Sequence, residues 1–155
     1  MKDRIIEITR EIVSQLGYVC VEATILMSKN NRKLKVVIHR PGFDISTRDC
    51  AELSNILRNK LDIEVNNFSR NYDLIVESPG ANRKLKNLEE VRMFMDREME
   101  IFVKPESKIK EKKLIGKVEK IENDEINLKT EKELYKIKWS DISMARIFFD
   151  FKKYL

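Results

Sequence analysis

The chain opens with apolar residues at helical spacing. Ile5, Ile8, Ile12 and Leu16 form one stripe, Ile6 and Val13 widen it, and Gly17 stands where a helix C-terminal cap is expected. From Val19 the period changes to two, which predicts Val19, Val21, Ala23, Ile25 and Met27 on one face of a strand. Lys29-Asn30-Asn31 supplies turn chemistry. Leu34, Val36 and Ile38 then alternate with Lys33, Lys35 and His39 in a second strand that Pro41-Gly42 closes. Ser46 followed by Asp49 is a capping-box signature, opening a helix whose buried stripe is Cys50, Leu53, Leu57 and Leu61. After a polar loop, Tyr72, Leu74 and Val76 alternate in a third strand. This order predicts an α+β class, beginning with an αββαβ two-layer domain whose two helices share one face of a sheet.

Ser78-Pro79-Gly80 ends that strand with a turn, Pro at its second position and Gly at its third. Ala81 to Asn87 is polar and basic and reads as a linker, so the expected domains are 1–86 and 87–155. Asn87 with Glu90 caps a short helix containing Leu88, Val91, Phe94 and Met95. Five short strands are expected near 99–104, 113–121, 124–130, 133–139 and 143–149, punctuated by Gly116 and Asn123-Asp124. Many short strands joined by tight turns suggest a small C-terminal β-barrel of SH3 or Sm type. The Lys-rich stretch from Lys104 to Lys113 is a loop between the first two of these strands.

Composition narrows the class. The 155 residues are 42% hydrophobic and 37% charged, with apolar positions spaced regularly enough for a packed core. No stretch approaches the ~20 apolar residues of a membrane helix. Met1-Lys2-Asp3-Arg4 passes straight into an amphipathic pattern rather than a leader, and a cytoplasmic location is expected. Cys20 and Cys50 are expected as buried thiols, and the absence of any CxxC pair removes the common zinc and redox motifs. The net charge of +5 favours polyanionic partners. Residues 1–87 hold 15 basic and 11 acidic side chains and residues 88–155 hold 16 and 15. The first half is therefore expected to supply the salt-sensitive part of binding.

Little in the sequence suggests catalysis. His39 is the single histidine and has no local partner to orient it as a base. The four glycines are isolated, so neither a P-loop nor a dinucleotide fingerprint can form. The carboxylates show no metal-ligand spacing, and no catalytic residue, cofactor or metal is expected. Met93, Met95 and Met99 around Phe94 read as core. Phe148, Phe149, Phe151 and Tyr154 crowd the end of the chain and cannot all point inward from one strand. The best phosphate-contacting candidate is the basic segment beside the Ser-Pro-Gly turn: Ser78, Pro79, Gly80, Arg83, Lys84 and Lys86. Neither the GxxG clamp of a KH module nor the aromatic motif of an RRM is present.

Glu77-Ser78-Pro79-Gly80-Ala81-Asn82-Arg83-Lys84-Leu85 resembles the hallmark of the RimP family, usually Ser-Ser-Pro-Gly-Leu-Asp-Arg-Pro-Leu. Ser78, Pro79, Gly80, Arg83 and Leu85 match it, while Glu77, Ala81, Asn82 and Lys84 depart. Asp49-Cys50-Ala51 with Ser54, Leu16-Gly17-Tyr18 with Val21-Glu22, and the stretch Ile137 to Phe151 with Ile142, Ala145 and Arg146 are similar to further family segments in the same order. The resemblance implies an αββαβ domain followed by an SH3-like barrel. It implies a non-enzymatic, monomeric ribosome maturation factor that binds the free small (30S) subunit and promotes its assembly. It also implies contact between the C-terminal domain and a small-subunit ribosomal protein. A general RNA-binding or RNA-chaperone module of Sm type is the competing expectation.

Overall fold

Gly17 ends the first helix where its position in the sequence predicts. Helix α1 (Lys2–Gln15) is capped by Leu16, and Gly17 follows at φ 87°. Its N–H donates to the Ser14 carbonyl at 3.0 Å and the Tyr18 N–H donates to that of Val13 at 3.1 Å, which satisfies two of the orphan carbonyls at the helix end. Only a residue tolerant of left-handed backbone fits there without strain. The chain then enters strand β1 (Val19–Ser28), turns into β2 (Asn31–His39), and reaches helix α2 (Thr47–Glu64). Ser46 and Asp49 close the full capping box: Asp49 N–H donates to Ser46 Oγ at 3.0 Å and Ser46 N–H to the Asp49 carboxylate at 2.9 Å. That bond to the Ser46 backbone holds the Asp49 carboxyl below its ordinary value.

A short helix α3 (Phe68–Asn71) precedes strand β3 (Asp73–Glu77). The sheet order is β1-β2-β3, antiparallel between β1 and β2 and parallel between β2 and β3. Leu34, Val36 and Ile38 of β2 lie in one core with Ile5, Ile8 and Val13 of α1 and Leu53, Leu57 and Leu61 of α2, so both helices cover the same face. Fully burying each such side chain contributes roughly 1.5–3 kcal/mol relative to leaving it exposed.

Two local expectations change. The expected single face Val19–Met27 is broken by a bulge between Cys20 and Glu22. Cys20 opposes Ile38, whereas Ala23 opposes Val36 and Ile25 opposes Leu34, so Cys20, Ala23 and Ile25 share the face of those core residues, while Val21, within the bulge, is buried as expected. One extra residue reverses which side chains point inward. The expected polar loop before β3 contains α3, whose Phe68 is fully buried and stacks on Tyr72 with ring centroids 5.2 Å apart. Four residues are too few to show a helical period.

The computed structural model describes residues 1–149 and divides into two compact units, Met1–Pro79 and Gly80–Leu155. The second unit contains helix α4 (Leu88–Met93) and strands β4 (Met99–Val103), β5 (Lys113–Glu122), β6 (Glu125–Lys129), β7 (Leu134–Lys138) and β8 (Ile142–Ile147). Their antiparallel sheet runs β7-β6-β5-β4-β8. It is an open ladder whose end strands, β7 and β8, follow one another through a 3-10 turn at Trp139–Asp141. Opposed pairs such as Ile101 with Leu114 and Ala145, Val118 with Leu128, and Ile126 with Ile137 build its buried face. Among the described residues no helix is long and apolar enough to cross a membrane.

Gly116 faces the backbone of the neighbouring strand β6, where an added Cβ would collide with the carbonyl of Lys129. The obstacle is backbone in a paired strand, so it cannot swing away. Gly116→Ala is expected to destabilise the protein by about 1–3 kcal/mol, read as a lower urea midpoint at unchanged slope. A midpoint equal to that of the unsubstituted chain would show that the strands separate freely here.

Candidate nucleic-acid interface

β3 ends at Glu77, and Ser78 and Gly80 are exposed while Pro79 is half-buried. The turn that follows is not the one the Ser-Pro-Gly order predicts. Arg83 N–H donates to the Gly80 carbonyl at 3.1 Å, which places Ala81 and Asn82 at its centre. Gly80 does not adopt a positive φ, and a Cβ there would meet nothing within 4 Å. The position of the turn follows from what comes after it.

Residues 83–85 pair with β8. Ile147 N–H donates to the Arg83 carbonyl at 2.9 Å, Leu85 N–H donates to the Ala145 carbonyl at 2.8 Å, and Lys84 forms an antiparallel bridge with Arg146. The stretch read as a linker is therefore hydrogen-bonded into the second unit. In an extended segment successive side chains alternate in direction, and the alternation is plain here. Leu85 is buried, Arg83 is largely so, and Lys84 and Lys86 are exposed. Arg83 Nη2 lies 3.4 Å from Glu90 Oε1, with the two side chains only 13% and 10% exposed. Glu90 is itself fixed at the start of α4, where its N–H donates to Asn87 Oδ1 at 2.9 Å.

The six candidate residues are thus sorted by geometry. Lys84 and Lys86 present charge to solvent, Ser78 and Gly80 present small polar surface, and Arg83 is held against Glu90. The one signal for this in the sequence is Leu85, an apolar residue set between Lys84 and Lys86 in an otherwise polar stretch.

Residues 8–82 match the family model of the RimP N-terminal domain. The chain belongs to the RimP family. The matched region begins within α1, runs through β3 and stops inside the Gly80–Arg83 turn, so it includes Ser78, Pro79 and Gly80. RimP proteins are a family of ribosome maturation factors, tied to ribosome biogenesis and small-subunit assembly. They are not known as enzymes.

The division of this RimP chain also relocates its charge. Residues 1–79 hold 12 basic and 11 acidic side chains, a net +1, and residues 80–155 hold 19 and 15, a net +4. The expectation that the first half carries most of the excess depended on counting Arg83, Lys84 and Lys86 with it. Ion pairs occur in both units: Arg4 with Glu64 at 3.3 Å, Lys35 with Glu77 at 3.6 Å, Arg48 with Glu52 at 3.1 Å and Lys60 with Glu64 at 3.2 Å in the first, and Arg97 with Asp96 at 3.3 Å, Lys120 with Glu122 at 3.1 Å, Lys129 with Glu119 at 3.8 Å and Arg146 with Glu100 at 2.7 Å in the second.

The other residues singled out have structural places. His39 is buried at the end of β2. Cys20 and Cys50 are free and half-buried rather than buried, and burial pushes both thiols up, which keeps them protonated at neutral pH. Met99 is fully buried and Met93 and Met95 half-buried. Phe148 and Phe149 are half-buried, while Phe151 and Tyr154 lie outside the described residues.

Arg83→Met should cost roughly 3 kcal/mol or more, because it leaves the largely buried Glu90 carboxylate without its partner. Lys84→Gln should stay within about 0.5 kcal/mol. Urea denaturation of the two variants makes the comparison, and equal small effects would return Arg83 to the solvent-facing set.

Proposed function

We propose that this protein binds the free small ribosomal subunit and promotes its maturation, acting by binding rather than by chemistry. The observation that carries the proposal is the match of residues 8–82 to the RimP N-terminal domain. Its physical support is the exposed side chains of Lys84 and Lys86, which form no ion pair among the described residues and follow the Ser78-Pro79-Gly80 connector in sequence. Exposed lysine ammonium groups contact a phosphate backbone, and such contacts position a protein without reading sequence. On this reading Ser78, Pro79, Gly80, Lys84 and Lys86 meet ribosomal RNA, and Arg83 positions the edge that displays the lysines.

The second unit is proposed as the small SH3-like barrel that contacts a ribosomal protein. Supporting that reading, its end strands β7 and β8 are consecutive in the chain and joined by the short turn at Trp139–Asp141. Monomeric action in the cytoplasm completes the proposal.

Tagged protein should co-sediment with free small subunits and be scarce on complete ribosomes and polysomes. An even distribution over all fractions, or none at all, would contradict an assembly factor.

Charge reversal at the exposed pair gives a second expectation. Lys84→Glu with Lys86→Glu should weaken subunit binding and flatten its dependence on log salt by about two units, since each phosphate contact contributes roughly 0.7–0.9. Arg83 is left in place so that folding is preserved. An unchanged affinity and slope in a folded double variant would make this edge a structural feature alone.

A further inference from the structure

The loop between β4 and β5 spends one lysine on its own structure, while Lys108 and Lys110 within it and Lys113 at the start of β5 are exposed. Lys112 Nζ donates to the Ile109 carbonyl at 2.9 Å and lies 3.4 Å from the carbonyls of both Lys104 and Pro105. Its ammonium thereby ties together a segment with no regular secondary structure. Further bonds hold the same loop. Ser107 N–H donates to the Lys104 carbonyl at 3.1 Å, Ile109 N–H to Ser107 Oγ at 3.2 Å, and Lys104 N–H to the Asp141 carbonyl at 2.8 Å.

Lys108, Lys110 and Lys113 are exposed and form no ion pair among the described residues. With Lys104 and Lys112 they give the stretch 104–113 five lysines against two glutamates, Glu106 and Glu111. Holding like charges close together in an ordered loop is unfavourable by itself, and a polyanion relieves it. The composition also indicates the kind of partner. Protein interfaces are depleted in Lys and enriched in aromatic residues and Arg, and this loop has neither an aromatic residue nor an arginine.

We infer that Lys108, Lys110 and Lys113 form a second RNA phosphate-contacting surface, separate in sequence from the Lys84 and Lys86 edge, and that Lys112 is the positioning residue that orders it. Ordering the loop before binding removes part of the entropy that binding would otherwise lose. That the RNA is ribosomal rests on the function proposed above. The phosphate chemistry does not.

The test uses the full chain with two probes, purified free small subunits and a plain RNA duplex, each titrated over a range of salt. The triple variant Lys108→Gln, Lys110→Gln and Lys113→Gln should keep its thermal midpoint and lose about two to three units of slope in log affinity against log salt on both probes. Lys112→Met should weaken binding several-fold with little change in slope, and should speed amide exchange at Ile109. The two proposals fail differently. Binding of the RNA duplex with no binding of subunits would remove the small-subunit reading and leave the loop assignment standing. A triple variant unchanged on both probes, or weakened only on subunits with no change in salt slope, would overturn the loop assignment. Absence of binding to either probe would also overturn it. A Lys112→Met slope as flat as that of the triple variant would refute its positioning role.

Discussion

Two backbone hydrogen bonds between residues 83–85 and β8 decide more about this protein than any side chain does. Once Arg83 and Leu85 are paired to that edge, the two-residue period of an extended chain sends their side chains inward and those of Lys84 and Lys86 outward. The pairing also sets where the preceding turn closes and attaches the basic segment to the second unit. The buried members then stabilise what the exposed members display. Arg83 meets Glu90, and Glu90 is held by the Asn87 cap of α4.

The same attachment changes the electrostatic picture. Three basic residues move from one side of the division to the other, and the unit that starts at Gly80 becomes the more positive one. Counting charge along a sequence cannot show this, because a net charge has meaning for recognition only over residues that share a body. Pairing sorts the cations further. In both units some are answered by nearby carboxylates, as Lys35 is by Glu77 and Lys120 by Glu122, whereas Lys84, Lys86, Lys108, Lys110 and Lys113 form no ion pair among the described residues and face solvent. Surface ion pairs of this kind add little stability, about 0–1 kcal/mol each, but they do cancel the local field that attracts a phosphate backbone.

Much of the fold was legible because its signals are local. The capping box at Ser46 and Asp49, the glycine stop at Gly17, the Asn87 cap and the alternating runs of the last five strands each depend on residues within one turn or one strand of each other. The errors have equally physical causes. A bulge is a property of two strands, so the inversion between Cys20 and Glu22 is invisible in β1 alone. Phe68 looked like part of a polar loop because its burial comes from the core above it, not from its neighbours in sequence.

The sequence by itself determined the order of elements apart from α3, the capped helix ends, the core stripes of α1, α2 and β2, and the resemblance that placed the chain among RimP proteins. All of these follow from short-range periodicity, capping and turn chemistry. Tertiary structure alone decided which basic residues are available. Arg83, Lys84, Lys86, Lys108 and Lys112 are equivalent as letters: each is a cation in a polar stretch. Pairing with β8 buries the first and exposes the next two, and three carbonyl oxygens occupy the last while Lys108 stays free. The difference between a structural cation and a functional one lies in partners brought from elsewhere in the fold, and no local pattern encodes those.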